Sequence, residues 1–277
     1  MRKLLPHILL FCLTVGSTFL IGGSVYSITL MAILLAHEMG HYLLSRRHRV
    51  SASLPYFIPF PFPPFGTLGA IIKSKSPIPN RKALLDIGVS GPLGGLFLAL
   101  PAIGFGLLIS KPIPVSQLPP QTIKLSSPPF FWLIQKLILG DIPEGYDVIL
   151  HPMAYAGWVG LFVTALNLLP IGQLDGGHVM YALFGPRSRL IFKWAMIGLM
   201  LTALFVNLGW LLLIILISSL GWRHPPPLDD LTPLDFKRKL LGIVTICVFF
   251  SSFTPVPFPQ WSFGLKDLLK ELGIWSL

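Results

Sequence analysis

His37-Glu38-Met39-Gly40-His41 sets two imidazoles four residues apart with a carboxylate beside the first. On a helix, residues four apart share a face, so both rings can hold one metal ion while Glu38 stands next to it as proton acceptor. Zinc suits such a pair, and a catalytic zinc takes three protein ligands and keeps one position open for water. The pentad supplies two, so a third ligand must come from elsewhere in the chain. The surroundings sharpen this reading, because no other charged residue lies between Lys3 and Arg46. Ionisable groups in a segment whose solvent is lipid mark function by default.

The elements that must position these residues are membrane helices. Of the 277 residues 53% are hydrophobic and only 12% charged, and several runs approach the roughly 20 residues a bilayer crossing needs. The composition predicts an all-α polytopic membrane protein, a single integral-membrane domain over 1–277 with a catalytic core at 24–184 and C-terminal spans and tail at 185–277. The expected spans are Leu4 to Gly22, Ser24 to Leu44, Ala83 to Ser110, Met153 to Leu169, Leu190 to Asn207, Leu208 to Trp222 and Leu240 to Phe253. Because the last two are short, the count is six or seven. The first span is read as uncleaved, since no small-x-small site follows its apolar run. Cys12 and Cys247 both fall in apolar runs, which excludes a disulfide framework or a Cys-rich metal site.

The net charge of +10 would point to nucleic acid in a soluble domain, but here it reports orientation. With a cytoplasmic N-terminus, Arg2, Lys3, Arg46, Arg47, Arg49, Lys73, Lys75, Arg81, Lys82, Arg187, Arg189, Lys193, Arg223 and Lys237 to Lys239 are inside. Only Lys111, Lys124, Lys136, Lys266 and Lys270 remain outside. The pentad then lies near the cytoplasmic end of the second span. Glu38, Asp86 and Asp175 are the acidic residues in or at the edge of spans, and the inward run of the fourth span brings Asp175 to the depth of His41. Pro170 and Gly172 break the helix there, and Gly176-Gly177 are expected to turn the chain so that Asp175 reaches a neighbouring helix.

His-Glu-x-x-His in a span, followed by Asn167-Leu-Leu-Pro170-Ile-Gly-Gln-Leu-Asp175-Gly176, resembles the site-2 protease family of intramembrane zinc metalloproteases, peptidase family M50. Gly88-Val-Ser-Gly-Pro-Leu-Gly-Gly95 is similar to that family's core third span, and the resemblance covers Ser24 to Phe184. No PDZ or CBS domain is visible, as in the minimal branch. The resemblance implies His37, His41 and Asp175 as ligands of one Zn2+, Glu38 as general base, and Asn167 as a polar group holding the scissile peptide or the developing oxyanion. It also implies membrane-anchored substrates, cleaved in a transmembrane segment near the cytoplasmic side during regulated intramembrane proteolysis. The partners expected are transmembrane proteins and the bilayer, not nucleic acid. With no transit peptide apparent, a bacterial inner membrane is the expected location.

Two connections are unusual. Residues 51–73 are cytoplasmic by topology yet interleave Pro55, Pro59, Pro61, Pro63 and Pro64 with Tyr56, Phe57, Phe60, Phe62 and Phe65, which excludes a regular helix. A re-entrant loop packed against protein fits this composition. Its end, Thr67 to Lys73, reads as a strand whose open edge could pair with an extended substrate. The segment Lys111 to His151 is expected along the outer interface. His178 is read as an interfacial helix-end histidine rather than a ligand or a partner of one. Asp86 is read as a cap or ion-pair partner at the start of the third span beside Arg81 and Lys82, and His7, His48, His151 and His224 receive no role. The rival functions are a metal or proton transporter, which needs polar residues strung across the membrane, and a catalytically silent client-binding relative, against which all four chemical residues are intact.

Overall fold

The computed structural model describes residues 4–120, 122–220 and 224–271. Arg2, Lys3, Trp222 and Arg223, used above for orientation and span limits, lie outside the described residues. Among the described residues, three stretches are long and apolar enough to cross a membrane: Leu5–Arg47, Arg81–Leu108 and Asp175–Phe205.

The first of these, α1 (Leu5–Arg47), is two antiparallel arms. Its 43 residues would reach about 65 Å as one rod, twice a bilayer core. Gly23 breaks it with φ 73° and ψ −172°, a conformation that only glycine adopts cheaply. The chain doubles back there, since Thr18 Oγ1 meets Ser27 Oγ at 2.7 Å and Phe11 and Leu35 line one lateral cavity between the arms. The expected boundary between the first two spans falls at this turn. Cys12 and Cys247 are both exposed on the apolar surface.

The second stretch, α2 (Arg81–Leu108), is the centre of the molecule. It packs against α1, α3 (Pro129–Leu139), α4 (Pro152–Asn167), α5 (Asp175–Phe184) and α8 (Phe236–Ser252). Small residues let it approach α1 closely, because a Cβ at Gly40 of α1 would lie 2.3 Å from the Ser90 carbonyl oxygen. In a membrane, contacts of this kind and not water exclusion hold helices together. The remaining apolar helices are short of a full crossing: α4 has 16 residues, α7 (Trp210–Leu220) 11 and α8 17. By length and composition, three of the described stretches can cross, one of them folded as a hairpin; a count of six or seven regular spans is not confirmed. α6 (Ser188–Phe205) continues α5 after a 3-10 turn at Gly185–Arg187, and α9 (Leu265–Glu271) ends the described chain.

The fold is helical but not all-α. β1 (Tyr56–Pro59) and β2 (Thr67–Ile71) pair antiparallel, with a register irregularity between Phe57 and Pro59. The ribbon extends past both strands through the Ala52–Ser74 bridge. A second ribbon, β3 (Lys111–Pro114) with β4 (Tyr146–Ile149), lies in the segment for which only an interfacial course was expected. Pro112 and Pro114 hid it, because proline cannot donate to a ladder and argues against a strand except at an edge.

The tip of the first ribbon is inserted among helices. Its consecutive carbonyls at Pro64, Phe65 and Gly66 accept from Tyr155 Oη at 2.7 Å, Tyr26 Oη at 2.8 Å and Ser17 Oγ at 2.6 Å. Phe65 stacks on Phe162 and touches Phe258. Phe60 N also donates to the Gly66 carbonyl, and hydroxyls from both arms of α1 and from α4 supply the other donors. Tyr26→Phe and Tyr155→Phe should each cost about 1–3 kcal/mol, the range for leaving a buried acceptor unpaired. Thermal unfolding in detergent measures this, and wild-type melting of both variants would refute the anchoring.

Candidate metal centre

The second arm of α1 carries the pentad on its face toward α2. His37 and Glu38 are buried, and His41 is 13% exposed at its side chain. Asp175 arrives from the far end of the chain. α4 stops at Asn167, the chain crosses Pro170 and turns at Gly172 with φ 56°, and Asp175 opens the ten-residue helix α5. This corrects the expected glycine-broken turn at Gly176-Gly177. Those two residues are helical, and their role is close approach: a Cβ at Gly176 would stand 2.0 Å from the Leu168 carbonyl oxygen, and one at Gly177 2.3 Å from that of Gly172. The returning strand of chain is thus folded tightly onto the start of the helix that presents the carboxylate.

Three atoms converge. His37 Nε2 and His41 Nε2 are 3.2 Å apart, His41 Nε2 is 3.2 Å from Asp175 Oδ2, and His37 Nε2 is 3.3 Å from the same oxygen. Donors about 2.0–2.1 Å from a tetrahedral zinc stand about 3.3–3.4 Å from one another, so the triangle has the size of one face of that tetrahedron. The donor chemistry agrees. His41 Nδ1 donates to the Ile87 carbonyl at 2.8 Å, which leaves Nε2 with a lone pair aimed at a carboxylate oxygen. One proton could satisfy one edge of such a triangle but not three, whereas a cation at the centre satisfies all. Among the described residues, His37, His41 and Asp175 are the one His/Cys/Asp/Glu group with metal-binding spacing.

Glu38 lies within electrostatic range of all three. Asn167 sits at the last turn of α4 with its Nδ2 3.1 Å from His37 Nε2, so its amide borders the donor triangle. Gly91 of α2 faces the ring of His41, and a Cβ there would stand 2.0 Å from His41 Nε2. The Gly88 to Gly95 run therefore gives room to the histidines as well as to helix packing.

Two readings of single residues are narrowed: of the cap or ion pair read for Asp86, the ion pair is the one found, and His178, in the first turn of α5, gains a partner. The His178 Nδ1 hydrogen-bonds His224 Nε2, and Tyr181 stacks on the His224 ring. Burial holds His224 down to about 4. Asp86 does not cap α2, a task done by Asn80, whose side chain accepts from Ala83 N at 2.9 Å. Asp86 instead binds His48 and Arg238, while Arg81 donates to the Ala182 and Leu183 carbonyls at the end of α5. His151, given no role, caps α4 by accepting from Met153 N. These partners are 38 to 152 residues apart, except for the two local caps, so no sequence pattern announced them.

Comparison with known proteins agrees with this architecture. The family model described as peptidase family M50 matches residues 25–207. The chain is 33% identical over 257 residues to "Probable zinc metalloprotease EGY1, chloroplastic" of Arabidopsis thaliana, covering 88% of this chain and 43% of that protein. It is 30% identical over 235 residues to "Probable zinc metalloprotease EGY2, chloroplastic" of the same plant, covering 82% of this chain and 40% of the other. The chain thus spans less than half the length of these curated relatives. No solved structure matches it. The family match extends from the second arm of α1 through α6 and includes both halves of the donor triangle, and the chain belongs to peptidase family M50.

Proposed function

We propose that this chain is an intramembrane zinc endopeptidase that cleaves transmembrane segments of membrane-anchored proteins near the cytoplasmic side. The observation that carries the reading is the donor triangle of His37, His41 and Asp175 with Glu38 at its edge, set among apolar helices. His37 and His41 Nε2 and Asp175 Oδ2 would hold the metal. When bound, zinc supplies a Lewis acid that polarises a peptide carbonyl and acidifies water. The Glu38 carboxylate takes the proton of the attacking water and returns it to the leaving amine nitrogen. The Asn167 amide donates to the carbonyl oxygen of the scissile peptide as charge develops there. A substrate helix has to unwind to expose that peptide, and an extended segment can add to β2, whose Leu68 and Ile71 side chains are exposed. Release of a membrane-held regulator, after a first cut elsewhere, is the biology that fits such a protease. The expected bacterial inner membrane gains no support from relatives named as chloroplastic, and the bilayer itself is what the site requires.

Clustering favours a reaction site over a transport path. A transporter needs several ionisable stations across the membrane, and the described residues offer one group with metal-binding spacing.

Glu38→Gln in reconstituted protein should retain zinc at the wild-type stoichiometry and lose cleavage of a model transmembrane substrate by at least 100-fold. Persistent cleavage in this variant would sink the mechanism, as would zinc transport without proteolysis by the wild type. Asp175→Ala should lower zinc affinity by more than Glu38→Gln does, and Gly91→Ala should do so by crowding His41, read by metal analysis after dialysis. Full zinc retention in both would show that the triangle is not the metal centre.

A further inference from the structure

Asp86 lies on α2 immediately before Ile87, whose carbonyl orients His41. Its carboxylate is only 14% exposed and is held from two sides. Arg238 of α8 donates to it through both arms of the fork, Nε to Oδ1 at 2.8 Å and Nη2 to Oδ2 at 2.6 Å. His48 Nε2 reaches Oδ2 at 2.9 Å. His48 follows His41 by seven residues, two turns along the α1 axis, and caps the C-terminus of that helix. Successive residues of α2 therefore bond histidines two turns apart on α1: the Ile87 carbonyl takes His41, and the Asp86 side chain takes His48. Two cross-links of this spacing fix both the height and the rotation of α1 against α2. One cross-link alone would leave a pivot.

The Ile87 carbonyl also accepts from Ser90 Oγ at 2.8 Å, so the position of this turn of α2 is set by several bonds at once. A bidentate arginine pair is the most directional of the ionic contacts, and here it ties the turn to a helix far outside the matched family region. Asp235 caps α8 through Arg238 N at 3.0 Å and meets Arg238 Nη1 at 2.5 Å, so the guanidinium itself is held in place.

We propose that Asp86, clamped by Arg238 and His48, is a positioning residue for the metal ligand His41, and that α8 is thereby part of the metal centre's support. The proposal rests on the reading of His41 as a ligand. It assigns a task to three residues, Asp86, His48 and Arg238, whose partners the chemistry of the pentad does not require. It also predicts that the metal senses a change in α8, although no residue of α8 belongs to the donor triangle.

The test uses full-length protein in detergent. Asp86→Asn and Arg238→Gln should each weaken zinc binding by about 10–100-fold, the usual cost of losing a group that orients a ligand. Both should also alter the visible absorption spectrum of the Co(II)-loaded protein, which reads ligand geometry directly. Asp235→Asn loosens the guanidinium without removing the Arg238–Asp86 fork and should shift affinity and spectrum in the same direction but by less than Arg238→Gln does. Val248→Ala, a buried change in α8 away from the clamp, controls for loss of stability. Wild-type zinc affinity with an unchanged Co(II) spectrum in Asp86→Asn would overturn the proposal, and so would an equal change in Val248→Ala at matched melting temperature. Neither readout needs a peptide substrate, so a wild type that binds zinc but cleaves nothing would remove the protease reading alone.

Discussion

Three lone-pair-bearing atoms, His37 Nε2, His41 Nε2 and Asp175 Oδ2, meet within 3.3 Å of one another in apolar surroundings. Such an arrangement repels itself unless a cation lies at its centre, and burial makes the cost of leaving it unneutralised steep. Helix packing has to hold the three groups together before any metal compensates them. That requirement explains why α2 occupies the middle. It contacts the helix bearing the histidines on one side and the helix bearing Asp175 on the other, with glycines at the points of nearest approach. A larger residue at Gly91 or Gly40 would push the helices apart by more than the triangle can tolerate.

The backbone faces a matching constraint. Asp175 has to leave one helix and begin another at the depth of the histidines, so the chain between Asn167 and Asp175 is unwound inside the protein. The proline-rich tip is likewise non-helical, with Phe62 exposed and Pro64 to Gly66 turned into the protein. Both stretches survive because protein groups replace water as partners, most plainly where Tyr155, Tyr26 and Ser17 serve three consecutive carbonyls. In these two stretches the irregular backbone either carries Asp175 or is bonded to the helices around it.

What the sequence made legible follows from the range of each interaction. The i, i+4 pairing of His37 and His41 is local, and the turn at Gly23 separates two apolar runs, so both could be read directly. The arrival of Asp175 beside His41 was legible through charge asymmetry and a broken span, although the start of α5 was not, because Gly176-Gly177 have poor helix propensity and signal a turn. The β3–β4 ribbon was masked by its prolines. The His178–His224 and Asp86–Arg238 pairs join residues 46 and 152 positions apart, and nothing in the composition around either partner indicates the other. Close approach was legible as small residues, and its targets were not.

The ionic residues that remain sort by what they hold. Arg81 binds the last carbonyls of α5, which fixes the far end of the helix whose first residue is Asp175. Asp86 and His48 fix the base of the helix that bears His41. The helices bearing His41 and Asp175 are therefore each anchored away from the donor atoms by charged residues near an end of an apolar stretch. Anchoring at that distance keeps further charged groups away from the donor triangle, where they would compete for its atoms. It also leaves a geometric lever, since a small tilt at either anchor displaces a ligand atom two or three turns away by a comparable distance. The donor triangle is then held by few polar neighbours, the Ile87 carbonyl, Asn167 and Glu38, together with anchors farther off.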